Sequence, residues 1–474
     1  MPRSKRHTAI YFTALQLESV RCFGQTQTLD LSDGFGNPTQ WTLLLGDNGV
    51  GKTTLLQCLS WMRPVFVAKS GYEGATPLRK GPLGPALQDE ENDVLESLLR
   101  SGKAVELTLE AELSLDKSLN SSCNGSARRR SRTKGKGITT GIRLMYTKKK
   151  ELRDYELRRT RSQPHRSFVE PLIVTYGASR QMGRQNLDLS NLEDPIAARL
   201  SEVTELYDPE EILSKLDHAA AKNLSKGAEY RRLEKCKEIL ARVLPDIDSA
   251  ADIKILAPKI EADSSLSSGV RFKTFSGLVT LSALSLGYQT TLAWTIDLAW
   301  RLFRRYPESR NPLDEPAIVL IDEIDLHLHP LWQRTIMDDL SRLFPRTQFI
   351  ATAHSPLMVQ SALGANLAVL KKRKNEVVIE NDPEVVRGWR VDQILNSELF
   401  GVPNSRDAET EALFQERSNL LNKIRRDSTE KTRLRQLEKQ LAELPTASEK
   451  RDQMAMDLIR KAATILKRQQ PLSA

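Results

Sequence analysis

Gly46-Asp47-Asn48-Gly49-Val50-Gly51-Lys52-Thr53-Thr54 fits the pattern G-x-x-x-x-G-K-[ST] at every fixed position. An apolar run, Trp41-Thr42-Leu43-Leu44-Leu45, comes just before it, and a helix-compatible run, Leu55-Leu56-Gln57-Cys58-Leu59, just after. Strand, glycine loop and helix in that order form the context in which the pattern cradles phosphate. Glycines let the backbone turn its N–H groups toward phosphate oxygens, and the helix N-terminus adds partial positive charge. Gly46, Asn48, Gly49 and Gly51 shape such a cradle, with Thr54 in the first helical turn. Lys52 would reach β- and γ-phosphates, and the Thr53 hydroxyl would hold Mg²⁺.

Late in the chain, Pro316-Ala317-Ile318-Val319-Leu320-Ile321-Asp322-Glu323 carries five apolar residues into two acids. That pattern predicts a buried parallel strand with carboxylates at its C-terminal tip, the edge where open α/β sheets place ligands. Asp322 would hold Mg²⁺ through water, and Glu323 would polarise an attacking water as general base. Alone, the run also reads as a strand followed by an acidic helix cap. The glycine loop upstream favours the chemical reading.

Between these stretches, Leu284-Ser285-Leu286-Gly287-Tyr288-Gln289 resembles the L-S-x-G-x-Q signature of ABC-type ATPases. A serine hydroxyl and a glycine backbone at a helix start make a second phosphate-binding corner. A plain helix N-cap at Ser285 is the alternative. Phe349-Ile350-Ala351-Thr352-Ala353-His354-Ser355-Pro356 reads as a short strand ending in histidine. His354 matches the switch histidine of the same class, which contacts the γ-phosphate. His327 and His329 lie in Asp325-Leu326-His327-Leu328-His329-Pro330, where the D-loop falls. With no third ligand beside them they read as loop and interface residues rather than a metal site.

The run Leu320 to Pro330, with Trp332-Gln333 and Thr352-Ala353-His354-Ser355-Pro356, is similar to the RecF/SMC/OLD-like branch of ABC ATPases. The opening Leu15-Gln16-Leu17-Glu18-Ser19-Val20-Arg21-Cys22-Phe23-Gly24 resembles the first strand and turn of that branch, which puts Arg21 near the adenine. Tyr176-Gly177-Ala178-Ser179-Arg180 and Gly388-Trp389-Arg390-Val391-Asp392-Gln393-Ile394-Leu395 resemble most the bacterial anti-phage defence ATPases of the Septu type, which work beside an HNH nuclease. The resemblance covers residues 10–60 and 170–400, and its motifs are specific for ATPase class rather than biological role. It implies an α/β fold: an ABC-ATPase head, meaning a P-loop mixed sheet with an antiparallel β layer. It further implies ATP and Mg²⁺, ATP hydrolysis, and Gln181 as the Mg²⁺-sensing glutamine. The implied active species is a homo-dimer or higher oligomer in which Ser285 and Gly287 of one subunit cap the triphosphate held by the other. A separate HNH-type nuclease is the implied partner. A RecF-like DNA-repair ATPase is the alternative; a transporter subunit and a nucleotide-locked scaffold fit less well. Val377-Val378-Ile379-Glu380 imitates the first strand of a Toprim nuclease, but nothing after it forms a second half, so nuclease activity is not expected in this chain.

Composition bounds the remainder. The 474 residues hold 39% hydrophobic and 28% charged positions with a net charge of +9, suited to a soluble, cytoplasmic protein. No apolar run approaches the ~20 residues that span a bilayer, and the basic N-terminus lacks a signal core. Cys22, Cys58, Cys123 and Cys236 form no C-x-x-C pair and point to reduced, unpaired thiols. From Arg128 to Arg161 there are fourteen Lys/Arg against three Asp/Glu. Arg128, Arg129, Arg130, Arg132, Lys134 and Lys136 form a Ser/Gly-interleaved tip between alternating, strand-like flanks. Such a tip would bind nucleic-acid phosphates without reading bases, or serve as a solvated loop.

The expected layout is therefore fourfold. Residues 1–185 form the N-terminal part of the lobe, with the P-loop, β layer and basic hairpin. Residues 186–265 form a helical insertion, compact because no heptad repeat is sustained. Residues 266–402 carry the signature, the acidic strand and the switch histidine. Residues 403–474 form a C-terminal helical hairpin, with one helix over 408–444, a break at Pro445 and a second over 448–468, for oligomerisation or partner docking.

Overall fold

The strand Trp41–Gly46 is buried along nearly its whole length, and its side chains divide by parity. Trp41, Leu43 and Leu45 join one core, while Leu44 joins the other. A strand sends successive side chains to opposite faces, so an unbroken apolar run means both faces are covered. In the computed structural model this strand lies inside a six-stranded sheet. Its order is Glu376–Asn381, Asn366–Arg373, Trp41–Gly46, Thr347–Thr352, Ala317–Ile321, Ile173–Tyr176. Every neighbour is parallel except the hairpin at the first edge. The described residues are 7–66, 83–89, 92–100, 105–115, 119, 137–149, 151–159, 169–185, 200, 204–222, 227–244, 247, 249–260, 266–274, 277–362, 364–381, 388–397, 399–400, 407–423 and 427–442.

Helices Pro209–Lys222, Ala228–Val243, Leu286–Arg305 and Ile336–Leu343 cover one face. They send Ile212, Leu240, Leu298 and Leu340 into a core with Val319, Ile321 and Phe349. The other face receives helix Lys52–Trp61 and an antiparallel sheet ordered Gln27–Asp30, Ile10–Glu18, Glu106–Leu115, Gly137–Tyr146, Leu152–Arg159. Leu15, Leu17, Leu107, Leu109, Ile142 and Leu144 pack there with Leu44, Ile318, Leu320 and Ile350. Each such burial contributes roughly 1.5–3 kcal/mol. A buried amide joins the layers. Gln348 accepts from Phe12 N at 2.9 Å and donates to Phe12 O at 2.8 Å, next to an irregularity in the pairing at Phe12/Ala14.

The mixed, mainly parallel sheet and the antiparallel β layer packed on one of its faces match the α/β architecture expected from the sequence. Two expectations need correction. The stretch 186–265 is not wholly helical: Thr204–Tyr207 is a strand parallel to Arg180–Gln185. Ile253–Ile260 pairs antiparallel with Leu266–Thr274, which pairs in turn with Gly277–Thr280. Its two helices also pack on the central sheet as part of the main core. The long helix expected over 408–444 is two helices, Ala408–Leu421 and Ser428–Ala442. Asp427 Oδ1 accepts from Glu430 N at 2.7 Å, a capping contact that starts the second one.

The chain divides into two compact units, 1–400 and 401–474. In the second, the helix pair is joined by Arg433, whose Nε and Nη2 each donate to Glu416 carboxylate oxygens at 2.8 Å. The expected helix over 448–468 lies outside the described residues, as do all six basic residues of the hairpin tip. Among the described residues, no helix is long and apolar enough to cross a membrane. Cys22, Cys58 and Cys236 are free thiols, and burial pushes the Cys58 and Cys236 thiols up to about 12.

Candidate active site

Parallel strands end on the same side, so Gly46, Asp322, Ala353 and Gly177 all emerge at one edge of the sheet. The loop after Gly46 turns through the left-handed region, with φ of 137° at Gly46 and 91° at Gly51. Those angles favour glycine, and space enforces the same choice. A Cβ on Gly51 would lie 2.5 Å from Cys22 Sγ, and one on Gly46 2.5 Å from Leu370 O. Helix Lys52–Trp61 begins without a side-chain cap, which leaves its first N–H groups available to an anion. Asn48 and Gly49 sit exposed on the rim of the loop. Lys52 is buried and its Nζ donates to Gly46 O and Asp47 O, both at 2.7 Å. Burial lowers its pKa, against the opposing pull of Asp322, Glu323, Asp47 and Asp325.

The acids at the adjacent strand tip are tied into the same network. Thr53 Oγ1 donates to Asp322 Oδ2 at 2.7 Å. Thr352 Oγ1 donates to Asp322 Oδ1 at 2.7 Å and accepts from Glu323 N at 2.7 Å. A hydroxyl beside a buried carboxylate is a set of hard oxygen donors suited to Mg²⁺, so Thr53 and Asp322 fit that ion. Glu323 has φ of 49°, rarely adopted by a residue with a side chain. Arg180 Nη2 donates to Glu323 O at 2.7 Å and Asp322 O at 3.0 Å. Burial pulls the Arg180 pKa down to about 10, opposed by Asp322 and Glu323, so it stays a cation at neutral pH. His354 is exposed, and its backbone N–H donates to Asp325 Oδ2 at 2.8 Å. That contact anchors the end of the Thr347–Thr352 strand to the loop after Glu323.

Arg21 lies against the P-loop helix. Its Nη1 donates to Gln57 Oε1 at 2.6 Å and to Thr54 Oγ1 at 3.4 Å. Gln181 lies on the strand Arg180–Gln185, with its side chain outside the described residues. The neighbouring Arg180 is the side chain that reaches the acids. Sequence reasoning does not single out Arg180, Thr352 or Asp325 as site residues. The signal for Arg180 is its place after the Tyr176-Gly177-Ala178-Ser179 turn. Thr352 carries a weaker signal, a hydroxyl at the end of the apolar run Phe349-Ile350-Ala351.

The signature corner is built differently. Ser285 takes the N-cap position of the 20-residue helix Leu286–Arg305, yet its hydroxyl makes no bond to that helix. Ser285 is exposed, and Leu286 keeps 60% of its surface in solvent. Gly287 abuts the carbonyl of His327, where a Cβ would collide with backbone. Tyr288 packs edge-on against Trp332 with ring centroids 4.5 Å apart, beside Leu331, which is 69% exposed. His329 Nδ1 accepts from Leu331 N at 3.3 Å and caps the short helix Pro330–Gln333. The helix behind the corner is firmly held. Asp297, fully buried, accepts from Tyr176 Oη at 2.7 Å, Arg301 Nε at 2.6 Å and Tyr207 N at 3.4 Å.

A family model described as an AAA domain, putative AbiEii toxin, Type IV TA system, matches residues 42–359. The chain belongs to this family. Among curated proteins, this family member is 39% identical over 145 residues to the Retron Ec83 probable ATPase of Escherichia coli, a match covering 30% of this chain and 26% of that one. It is 40% identical over 123 residues to the Septu protein PtuA of Bacillus mycoides (strain KBAB4), covering 26% of this chain and 17% of that one. The chain thus spans about a quarter or less of the length of these curated relatives. Among solved structures, the SMC head domain from Thermotoga maritima aligns with 13% identity and a TM-score of 0.40, covering 79% of this chain and 99% of that one.

Proposed function

We propose that this chain binds and hydrolyses ATP as a two-fold pair and that ATP-gated closure is its output. The observation that carries the reading is the continuous hydrogen-bonded set Thr53–Asp322–Thr352–Glu323 beside the glycine loop. Lys52 would leave the Gly46 and Asp47 carbonyls to engage the β- and γ-phosphates. Mg²⁺, held by Thr53 and Asp322, would offset the triphosphate charge and align its oxygens. The Glu323 carboxylate would take a proton from the attacking water as that oxygen bonds to the γ-phosphorus and the bond to the β-phosphate oxygen breaks, releasing ADP. His354 would contact the γ-phosphate. Ser285 and Gly287 would complete the pocket of the second subunit. The uncommitted Ser285 hydroxyl and the bare Leu286 and Leu331 support that role, since an exposed apolar patch marks a contact surface.

The partial likenesses to a Septu protein and a retron ATPase support placement in anti-phage defence, with a separate HNH-type nuclease as the controlled partner and residues 403–474 as its docking region. The basic run 128–161 favours an added, salt-sensitive contact with nucleic acid, a feature shared with a RecF-like role. The deciding experiment is size-exclusion chromatography of Glu323→Gln with and without ATP. ATP should shift it to a dimer while its turnover falls by about 10²–10⁴-fold, the range for loss of a general base. A chain that stays monomeric with ATP and hydrolyses it undiminished at high dilution contradicts the paired site.

A further inference from the structure

Glu323 is the residue whose carboxylate must meet the attacking water, and its backbone occupies the left-handed region at φ 49°. That conformation persists only where surrounding contacts over-determine it. Four hydrogen-bonding groups do so here. Thr352 Oγ1 accepts the Glu323 N–H. Ile324 N donates to Thr352 O at 3.0 Å, and Leu326 N donates to Glu323 O at 3.1 Å. The fourth is Arg180 Nη2, which grips Glu323 O and Asp322 O together. Asp322 N also donates to Tyr176 O at 2.8 Å, so the strand that leads to Arg180 is the one that braces the acidic tip from the side.

Among the described residues, one donor of the guanidinium has no protein acceptor: the buried Arg180 Nε. Buried arginines that only staple a fold have their donors satisfied. A desolvated cation kept beside Asp322, Glu323 and Asp325, with one N–H left over, is a cost that a purely structural brace would avoid.

Resting on the ATPase reading above, we propose that Arg180 is a positioning residue for hydrolysis: it locks the Asp322–Glu323 backbone so that the Glu323 carboxylate is aimed at the attacking water, and its free Nε–H serves an ordered water of the same site. Arg180 acts through Glu323. It does not hold the nucleotide, which the glycine loop and Lys52 do.

The test compares Arg180→Lys, Arg180→Ala and the double variant Arg180→Ala/Glu323→Gln with wild type, measuring kcat and the Kd of a fluorescent ATP analogue. Arg180→Lys should lose about 30-fold or more in kcat, and Arg180→Ala more, with Kd held within about threefold, the split expected when only the transition state is affected. Thermal unfolding of Arg180→Lys should match wild type. The double variant should turn over within about threefold of Glu323→Gln alone, because residues that act as one unit are not additive. Undiminished kcat in both single variants overturns the proposal. So does parallel loss of Kd, kcat and folding in Arg180→Lys, which would make the residue a structural staple, and so does a full additive loss in the double variant. Absence of turnover in wild type is a separate outcome that strikes the ATPase reading itself.

Discussion

The P-loop edge and the signature corner are the two regions proposed to bind phosphate, but the fold treats them oppositely. At the edge, nearly every polar group already has a partner within the chain: Lys52 with two carbonyls, Asp322 with two hydroxyls, Glu323 through both its N–H and its carbonyl. At the corner, Ser285 has a helix start to cap and does not cap it, and Leu286 and Leu331 stand in solvent. One region is preorganised for chemistry. The other is preorganised for arrival, because the helix behind it is fixed by Asp297 while its tip stays uncommitted. On the reading proposed above, the contrast would separate catalysis within a subunit from control between subunits.

That contrast can be broken at either end. Lys52→Ala should abolish turnover, by about 10³-fold or more, because catalysis in such sites rests chiefly on electrostatic stabilisation of the transferring phosphoryl group; a radiometric ATPase assay reads it. Asp297→Ala should cost about 3–5 kcal/mol, since it removes the buried carboxylate that Arg301 Nε and Nη2 donate to; urea unfolding at equilibrium measures this. Ser285→Ala should lower turnover by about 10–100-fold, the loss of one charge-directed donor, without changing single-chain stability. Mixing Ser285→Ala with Lys52→Ala should restore one intact pocket per mixed pair. Co-assembled mixtures that remain inactive would place the corner outside the reaction. Leu331→Gln should leave stability within about 0.5 kcal/mol, as surface changes do, yet weaken ATP-dependent pairing by sedimentation velocity.

Much of this is legible in the chain because the decisive signals are local. The glycine loop fixes its conformation within nine residues, and five apolar residues before two acids describe a buried strand whichever neighbours it has. Alternation in Glu106–Leu115 gives away the antiparallel layer for the same reason. What escapes depends on register or distance. Arg180 is named in the sequence only as part of a family-like turn, and its reach to the carbonyls of Asp322 and Glu323 exists only once its strand lies beside the acidic tip. Thr352 looks like any strand threonine until folding brings it to Asp322. The helical reading of 186–265 fails at Ile253–Ile260 because that strand is specified by pairing with Leu266–Thr274, a partner with no local trace. The break before Ser428 is readable in Asp427-Ser428-Thr429-Glu430, a helix start set inside a charged run that keeps helical periodicity on both sides.

The antiparallel layer has a wider consequence. The strands Glu106–Leu115 and Gly137–Tyr146 carry the basic hairpin on a sheet separate from the one that ends in Asp322 and Glu323. On the reading proposed above, substitutions in the connection between these two strands would alter contact with nucleic acid while the sheet edge that carries Asp322 and Glu323 is inherited unchanged.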